Sequence, residues 1–108
     1  MRFRVEMTEG AYDDLDRLMG WLAERLPGAE DRLSSRFLEA IQRLETDPFT
    51  CGLAYENPLF DEEVRHLLFE TRKGRVYRAL FVIRGSLVKV LCVRAPGEKP
   101  VQREDLGS

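Results

Sequence analysis

The chain has 108 residues, of which 44% are hydrophobic and 33% are charged, a composition typical of one small globular domain and not of a disordered or fibrous segment. No apolar run approaches the ~18 residues that a membrane span needs, and the opening MRFRVEMTEG carries acids where a secretory signal has its apolar region. We therefore expect a cytoplasmic protein with no membrane partner. Cys51 and Cys92 lie far apart in the sequence, and we expect both to be reduced.

Charge is distributed unevenly along the chain. Residues 1–63 hold 7 basic and 15 acidic side chains, a net charge of −8, whereas residues 64–108 hold 10 and 4, a net charge of +6. A half-chain this basic is a candidate surface for phosphate or for an acidic partner. Alternatively, the two halves partly neutralise each other within the fold.

The N-terminal half of the sequence predicts one strand and two helices. Alternation of apolar and charged residues over residues 2–7 predicts a half-buried strand. Thr8 is the expected N-cap of an amphipathic helix of about 18 residues that ends at Pro27. A second helix, with an apolar stripe over residues 33–44, ends before Pro48. The short break between the helices predicts an antiparallel hairpin.

The C-terminal half predicts a sheet. Residues 48–63 have no usable periodicity and contain prolines and a glycine, which favours an ordered loop. Three apolar, β-branched or aromatic runs follow, at residues 64–70, 76–83 and 87–93. The order βααβββ predicts an α+β domain, with the N-terminal strand and the helical hairpin packed on one face of an antiparallel sheet. Residues 1–95 form this domain, and residues 96–108 form a polar, extended or frayed C-terminal tail.

Two-residue turns at Lys73-Gly74 and Gly85-Ser86 would decide which side chains share a face of the sheet. The face expected to receive the helices carries His66, Leu68, Ala79, Phe81, Ile83, Val88, Val90 and Cys92. The opposite face, expected to be bare, carries Arg65, Leu67, Phe69, Arg78, Leu80, Val82, Lys89, Leu91 and Val93. Because a bare apolar sheet surface usually marks a binding surface, we expect a partner to cover it. A shift of one residue would exchange the faces of a strand.

Arg65 and Arg78, on neighbouring strands of that face, are candidates to hold one phosphate from two sides, because guanidinium groups match phosphate oxygens. Such a pair would also stabilise the charge that develops in phosphoryl transfer. Alternatively, their stems pack on apolar neighbours and their heads meet solvent or the acids of a partner. Nothing in the sequence predicts a metal site or a cofactor: His66 is the only histidine, and no phosphate-cradling glycine motif occurs.

Several strings of the sequence together resemble the RelE/ParE superfamily of type II toxin-antitoxin toxins. They are the opening MRFRVEMTEGAYDDLDRLMGWL, the hairpin end FLEAIQRLETDP, the loop GLAYE and the strands VRHLLFETRKGRVYRALFVIRGSLVKVLCVR. The resemblance covers about residues 2–95, so that residues 1–95 would be a single RelE/ParE-like toxin domain. It implies a cytoplasmic toxin neutralised by an antitoxin whose C-terminal segment often wraps the sheet face and the helical hairpin.

The resemblance implies one of two targets. RelE-like members cut mRNA on the ribosome without a metal, through basic residues that bind and polarise the phosphate, whereas ParE-like members inhibit DNA gyrase without chemistry of their own. Arg65 and Arg78 match basic positions of RelE-like toxins, and Arg94 lies near a third. Leu67 stands where those enzymes have a further basic residue, and no tyrosine follows residue 94. The sequence is therefore closer to ParE.

We expect a ParE-like toxin that arrests growth by inhibiting DNA gyrase. The alternatives are a RelE-like endoribonuclease acting on ribosome-bound mRNA, with Arg65, Arg78 and Arg94 as its catalytic residues, and an inactive homologue that only binds its antitoxin. The residues expected to bind the antitoxin are Arg65, Leu67, Phe69, Arg78, Leu80, Lys89 and Leu91. A chain with a bare apolar face can also form a homodimer.

Overall fold

The computed structural model describes residues 2–102, and its first half contains a strand and two helices at the places that the sequence predicts. These elements are β1 (Arg4–Met7), α1 (Glu9–Arg25) and α2 (Ala29–Thr46). Thr8 Oγ1 caps α1 by accepting a backbone N–H of the first turn at 3.0 Å. Gly28, with φ of +95°, makes the break between the helices, a conformation that glycine adopts without steric cost.

The second half contains a loop and three strands. The loop includes the short 3-10 turns Pro48–Thr50 and Asn57–Leu59. The strands are β2 (Arg65–Arg72), β3 (Arg75–Arg84) and β4 (Leu87–Arg94). Lys73-Gly74 and Gly85-Ser86 form the two turns between them, as predicted from the sequence.

The four strands form one sheet in the order β1-β4-β3-β2. The three C-terminal strands are antiparallel, whereas β1 runs parallel to β4 along the edge of the sheet. The sheet is mixed because the helical hairpin separates β1 from the meander in sequence, and such a connection permits parallel pairing. The predicted α+β class and the element order are confirmed.

The main core lies between the helical hairpin and one face of the sheet. Leu33, Phe37 and Leu44 of α2 are buried there, and the Phe37 ring lies 5.9 Å from the ring of Phe69 on β2. Each such side chain contributes roughly 1.5–3 kcal/mol when it is removed from water. The hairpin is therefore held on the sheet by apolar contacts that run along its whole second helix.

A bulge in β2 reverses the predicted faces of that strand. Glu70 pairs with Val76 and Arg72 pairs with Arg75, so that Thr71 is an extra residue without a partner across the ladder. Leu67 and Phe69 consequently lie in the main core instead of on the face opposite the helices. The predicted positions of His66 and Leu68 on the helix side are wrong for the same reason.

A second bulge acts on β4. Leu80 pairs with Cys92 while Phe81 pairs with Val90, which makes Leu91 the extra residue. Val88 and Val90 face the helices as predicted, but beyond the bulge Val93 joins them and Cys92 faces the other way. The predictions for Cys92 and Val93 are therefore wrong.

The face opposite the helices, here called the outer face, is not bare. Ala54, Phe60 and Val64 of the loop pack on it, as does Val101 of the C-terminal tail. They cover Leu80, Val82 and Cys92. The expectation of a bare face is wrong because apolar residues scattered through an aperiodic segment can still fold back onto a sheet.

The described part of the tail begins with a turn at residues 96–97, and Val101 anchors it with no exposed surface. Residues 103–108 of the predicted polar tail lie outside the described residues. Cys51 and Cys92 are both free thiols in buried positions. No helix among residues 2–102 is long and apolar enough to cross a membrane.

Candidate functional site

Arg78 lies in the middle of β3 on the outer face, where it is held by Glu56 of the covering loop. Its Nη1 donates to Glu56 Oε1 at 3.0 Å and its Nη2 donates to Oε2 at 2.7 Å. The pair is secluded, with 12% of the Arg78 side chain and 1% of the Glu56 side chain exposed. Glu56 Oε2 also accepts the backbone N–H of Val101 at 2.8 Å. One carboxylate thus joins the sheet, the loop and the tail.

The hydrogen bonds of Glu56 keep it ionised. Burial alone would raise the pKa of this carboxyl, but the hydrogen bonds from Arg78 and Val101, together with the positive charge of Arg78, lower the pKa to about 2. In return, the hydrogen bond to Glu56 raises the pKa of Arg78. Both groups therefore carry their charge throughout the neutral range, and each satisfies the other.

His66 and Tyr55 complete the surroundings of Arg78. The Nδ1 of His66 lies 3.2 Å from Arg78 Nη1, and the Tyr55 ring meets the imidazole edge-on at 5.0 Å. Burial and the charge of Arg78 lower the pKa of His66, so the ring is neutral at pH 7. A neutral ring beside a guanidinium is an acceptor at Nδ1, which leaves His66 poorly placed as a general base for a substrate.

Of the two other arginines proposed for catalysis, the structure brings Arg94 to Arg78 and keeps Arg65 away. Arg94 is the direct cross-strand partner of Arg78, and its Nη1 lies 3.5 Å from Glu98 Oε2. Arg65 pairs with Phe81 and has the orientation of Leu67, towards the helix side. The hypothesis that Arg65 and Arg78 flank one phosphate is therefore wrong.

Arg65 is used within the fold. Its Nη1 donates to the backbone carbonyl of Cys51 at 2.6 Å, and its Nη2 lies 2.8 Å from Glu63. The guanidinium carbon lies 5.5 Å from the centre of the Phe49 ring. These contacts make Arg65 an anchor for the start of the loop.

The residues expected to bind the antitoxin divide into two groups. Leu67, Phe69 and Leu80 are buried, which contradicts their expected place on an accessible face. Lys89 and Leu91 keep part of their surface, and Lys89 Nζ lies 3.6 Å from Glu6. A partner-binding role of Lys89 and Leu91 stays a prediction, as does one for Arg65 and for Arg78.

Sequence reasoning missed Glu56, although it lies in GLAYE, one of the strings that resemble the toxin family. An acid in a stretch that otherwise supplies buried or aromatic residues is a signal for a buried ion pair. Its partner was not predictable, since 22 residues separate Glu56 from Arg78 and the loop between them lacks periodicity. Val101 was missed because its neighbours are polar and suggested a solvated tail.

A groove of about 660 Å³ lies beside Arg94, where the tail crosses α1. Asp14 and Glu98 line it together with Arg17 and Lys99, so its charges are mixed and partly neutralise each other. No cluster of three metal-ligating side chains occurs among residues 2–102. The groove can bind polar groups, but no single sign of charge dominates it.

Ion pairs link the acidic and basic halves of the chain. Four basic residues from the second half meet acids from the first: Arg65 with Glu63, Arg78 with Glu56, Arg84 with Glu62, and Lys89 with Glu6. The interpretation that the halves partly neutralise each other is therefore confirmed.

Comparison with known proteins supports the fold. No protein-family model and no curated protein sequence matches the chain. A chain of a solved structure of the chromosomal ParDE TA system from P. aeruginosa is similar, with a TM-score of 0.68 and 20% sequence identity over 87% of this chain and 96% of that one. A chain of the archaeal RelE-RelB complex from Pyrococcus horikoshii OT3 gives a TM-score of 0.49 and 16% identity over 92% of this chain and 100% of that one. The likeness to the ParDE chain shows that the two chains share a fold.

Proposed function

We propose that the chain is the toxin of a type II toxin-antitoxin system, that it acts in the cytoplasm by inhibiting DNA gyrase, and that a cognate antitoxin neutralises it. The likeness to a chain of the ParDE system supports the toxin-antitoxin part of this proposal. The preference for gyrase over mRNA rests on one observation, the secluded ion pair between Arg78 and Glu56.

Phosphoryl transfer needs donors that point at the position where negative charge develops. Both terminal nitrogens of Arg78 already donate to a carboxylate, and that carboxylate is almost fully buried. A phosphodiester would have to displace Glu56 and, with it, the hydrogen bond that holds Val101. Such a displacement would leave a buried carboxylate without its counter-ion, which is strongly unfavourable.

The remaining parts of a nuclease site are also engaged. Arg65 lies on the other side of the sheet from Arg78, where it donates to a backbone carbonyl. His66 is neutral, and its Nδ1 is occupied by Arg78. Inhibition of an enzyme by binding does not require these side chains to be free. Such a function therefore fits the chain better than mRNA cleavage.

Two purified reactions test this proposal. In the first, the protein is added to DNA gyrase and relaxed plasmid, and we expect supercoiling to be inhibited. In the second, it is added to translating ribosomes, and we expect the mRNA to stay intact. Mapping of mRNA ends by primer extension distinguishes cleavage from degradation.

The informative variant is the pair Glu56→Gln with Arg78→Gln, which removes both charges and keeps hydrogen-bonding groups in place. Gyrase inhibition should survive this change, and it should also survive the exposed control Arg36→Ala. If the natural chain cut mRNA in phase with the codons and the paired variant did not, the proposal would be wrong and the protein would be a ribonuclease. If the natural chain were inactive in both reactions, the protein would be an inactive homologue that only binds its antitoxin.

A further inference from the structure

The tip of the β2–β3 hairpin is the most basic stretch of the chain. It consists of Arg72, Lys73, Gly74, Arg75 and Val76, so that three of its five residues are positively charged. All five residues are exposed, and the first buried side chain after them on β3 is Tyr77. We call residues 72–76 the basic tip. Its charged side chains face solvent at the end of a two-stranded ribbon.

The basic tip has no acid paired with it in the described part of the chain. No carboxylate of residues 2–102 forms an ion pair with Arg72, Lys73 or Arg75. Glu70 is the acid closest to the tip in the sequence, and its Oε2 accepts the backbone N–H of Gly74 at 3.3 Å. Glu70 thus closes the turn and leaves the charges of the basic tip available to an external anion.

The two arginines of the basic tip oppose each other. Arg72 and Arg75 are direct cross-strand partners, and like charges in this position destabilise a hairpin. At the other end of β3, by contrast, Arg84 lies 2.6 Å from an oxygen of Glu62. An anion between Arg72 and Arg75 would replace their repulsion by two attractive contacts.

The positive surface continues from the basic tip onto the corner between α1 and α2. A cavity of about 330 Å³ beside the tip is lined by Arg72 and Arg75 of the hairpin and by Arg25 and Arg32 of the helices. None of its lining residues among the described ones is acidic. Because the cationic side chains come from two separate parts of the fold, they suit an extended polyanion better than one isolated phosphate.

We infer that the basic tip binds the phosphates of double-stranded DNA. Arginine and lysine side chains bind the phosphates of the DNA backbone, and this contact needs no particular base sequence. A two-stranded ribbon fits the major groove of B-form DNA, which is about 12 Å wide, whereas the major groove of duplex RNA is deep and narrow. An acidic protein would require apolar anchors as well, and the basic tip offers one apolar side chain, Val76.

This inference goes beyond the proposed function, because inhibition of gyrase through contact with the enzyme requires no contact with DNA. It concerns the free chain and is tested without gyrase. Failure of DNA binding and failure of gyrase inhibition are therefore distinguishable.

The test is a titration of a short fluorescein-labelled DNA duplex with the full chain, followed by fluorescence anisotropy. We expect a dissociation constant of about 1–100 µM at physiological salt, as for binding that does not depend on sequence. The logarithm of the binding constant should fall with the logarithm of the salt concentration with a slope of about −3, because each neutralised phosphate contributes about −0.9. Unlabelled DNA duplex should compete better than an RNA duplex of the same sequence or polyglutamate.

The variant Arg72→Gln with Arg75→Gln should weaken DNA binding about tenfold or more and make the salt slope shallower by about 2, because two phosphate contacts are lost. The matched control is Arg2→Gln with Arg4→Gln, which makes the same change in net charge near the opposite end of the sheet and should bind as the natural chain does. Circular dichroism shows that both variants are folded before titration.

Three outcomes would overturn the inference. They are absence of DNA binding, equal weakening by the tip variant and its control, and competition by duplex RNA or polyglutamate that is as strong as competition by DNA. The last result would indicate a ribosomal RNA or an acidic protein as the ligand of the basic tip.

Discussion

Glu56 determines what Arg78 can do. Its two carboxylate oxygens take both terminal nitrogens of the guanidinium, and one of them also takes the N–H of Val101. Since 1% of the Glu56 side chain is exposed, water cannot replace these bonds if one partner leaves. Arg78, which by resemblance alone is a candidate catalytic residue, is in this fold an anchor for the loop and the tail.

Replacing Glu56 by glutamine should therefore destabilise the fold by about 3 kcal/mol, because Arg78 would be left buried without a counter-ion. Urea unfolding at pH 7 measures this loss. The control is Glu62→Gln, whose ion pair with Arg84 is exposed and should cost less than about 1 kcal/mol. Equal unfolding midpoints for the two variants would show that the buried pair does not hold the loop.

The pH dependence of unfolding provides a second test of the role of Glu56, with the same Glu56→Gln variant. Folding lowers the pKa of Glu56 from its ordinary value of 4.5 to about 2, so its contribution to stability is complete above about pH 5 and is lost as the pH falls towards 2. The loss is on the order of 2–3 kcal/mol. Glu56→Gln should lack this part of the acid destabilisation.

At the scale of elements, the sequence was sufficient for the helix bounds, the turns and the order of elements along the chain, but not for the parallel pairing of β1 with β4 or for the faces of two strands. Caps, prolines and apolar periodicity act locally, which is why α1 and α2 were placed correctly. The run Leu67-Leu68-Phe69 offers apolar side chains to both faces, so its pattern could not reveal the one-residue bulge at Thr71. The bulge at Leu91 was hidden in the same way by apolar neighbours on either side.

The same limit applies to the candidate site. Arg94 is the cross-strand partner of Arg78 because the bulge at Leu91 shifts the register of β4 by one residue, and the sequence pattern did not reveal that bulge. Arg65 was assigned to the wrong face by the bulge in β2. The contact between Arg78 and Glu56 depends on the path of an aperiodic loop, for which a single sequence provides no rule.

Thr8 joins two elements, and its hydroxyl group should matter accordingly. It accepts the N–H of Ala11 at 3.0 Å and donates to the carbonyl of Leu91, the bulge residue of β4, at 2.9 Å. Thr8→Ala should cost about 1–2 kcal/mol in thermal or urea unfolding, whereas Thr8→Ser should restore most of it. Thr46→Ala, which removes an exposed hydroxyl at the end of α2, is the control and should cost less than about 0.5 kcal/mol. Equal losses for the two alanine variants would show that the link from α1 to β4 contributes nothing.

At the scale of the whole molecule, ion pairs between the two halves cancel only part of the division of charge along the sequence. Ion pairs with acids neutralise much of the positive charge of the second half, as for Arg78, Arg84 and Lys89. Among residues 2–102, no carboxylate forms an ion pair with the basic side chains of the β2–β3 turn, Arg72, Lys73 and Arg75, or with Arg32. The net charge of −2 therefore conceals one basic end.

Repulsion between the arginines at that basic end should lower the free energy of unfolding of the free chain. Arg72→Glu converts the repulsive pair with Arg75 into an attractive one, so we expect the unfolding free energy to rise by about 0.5–1 kcal/mol at low ionic strength. Most of the gain should disappear at 0.5 M salt, where exposed charges are screened over roughly 4 Å. The double variant Arg72→Glu with Arg75→Glu restores repulsion between like charges and should gain nothing, which separates the pair from a change in net charge. If Arg72→Glu were no more stable than the natural chain at low salt, repulsion between the two arginines would not destabilise the β2–β3 hairpin.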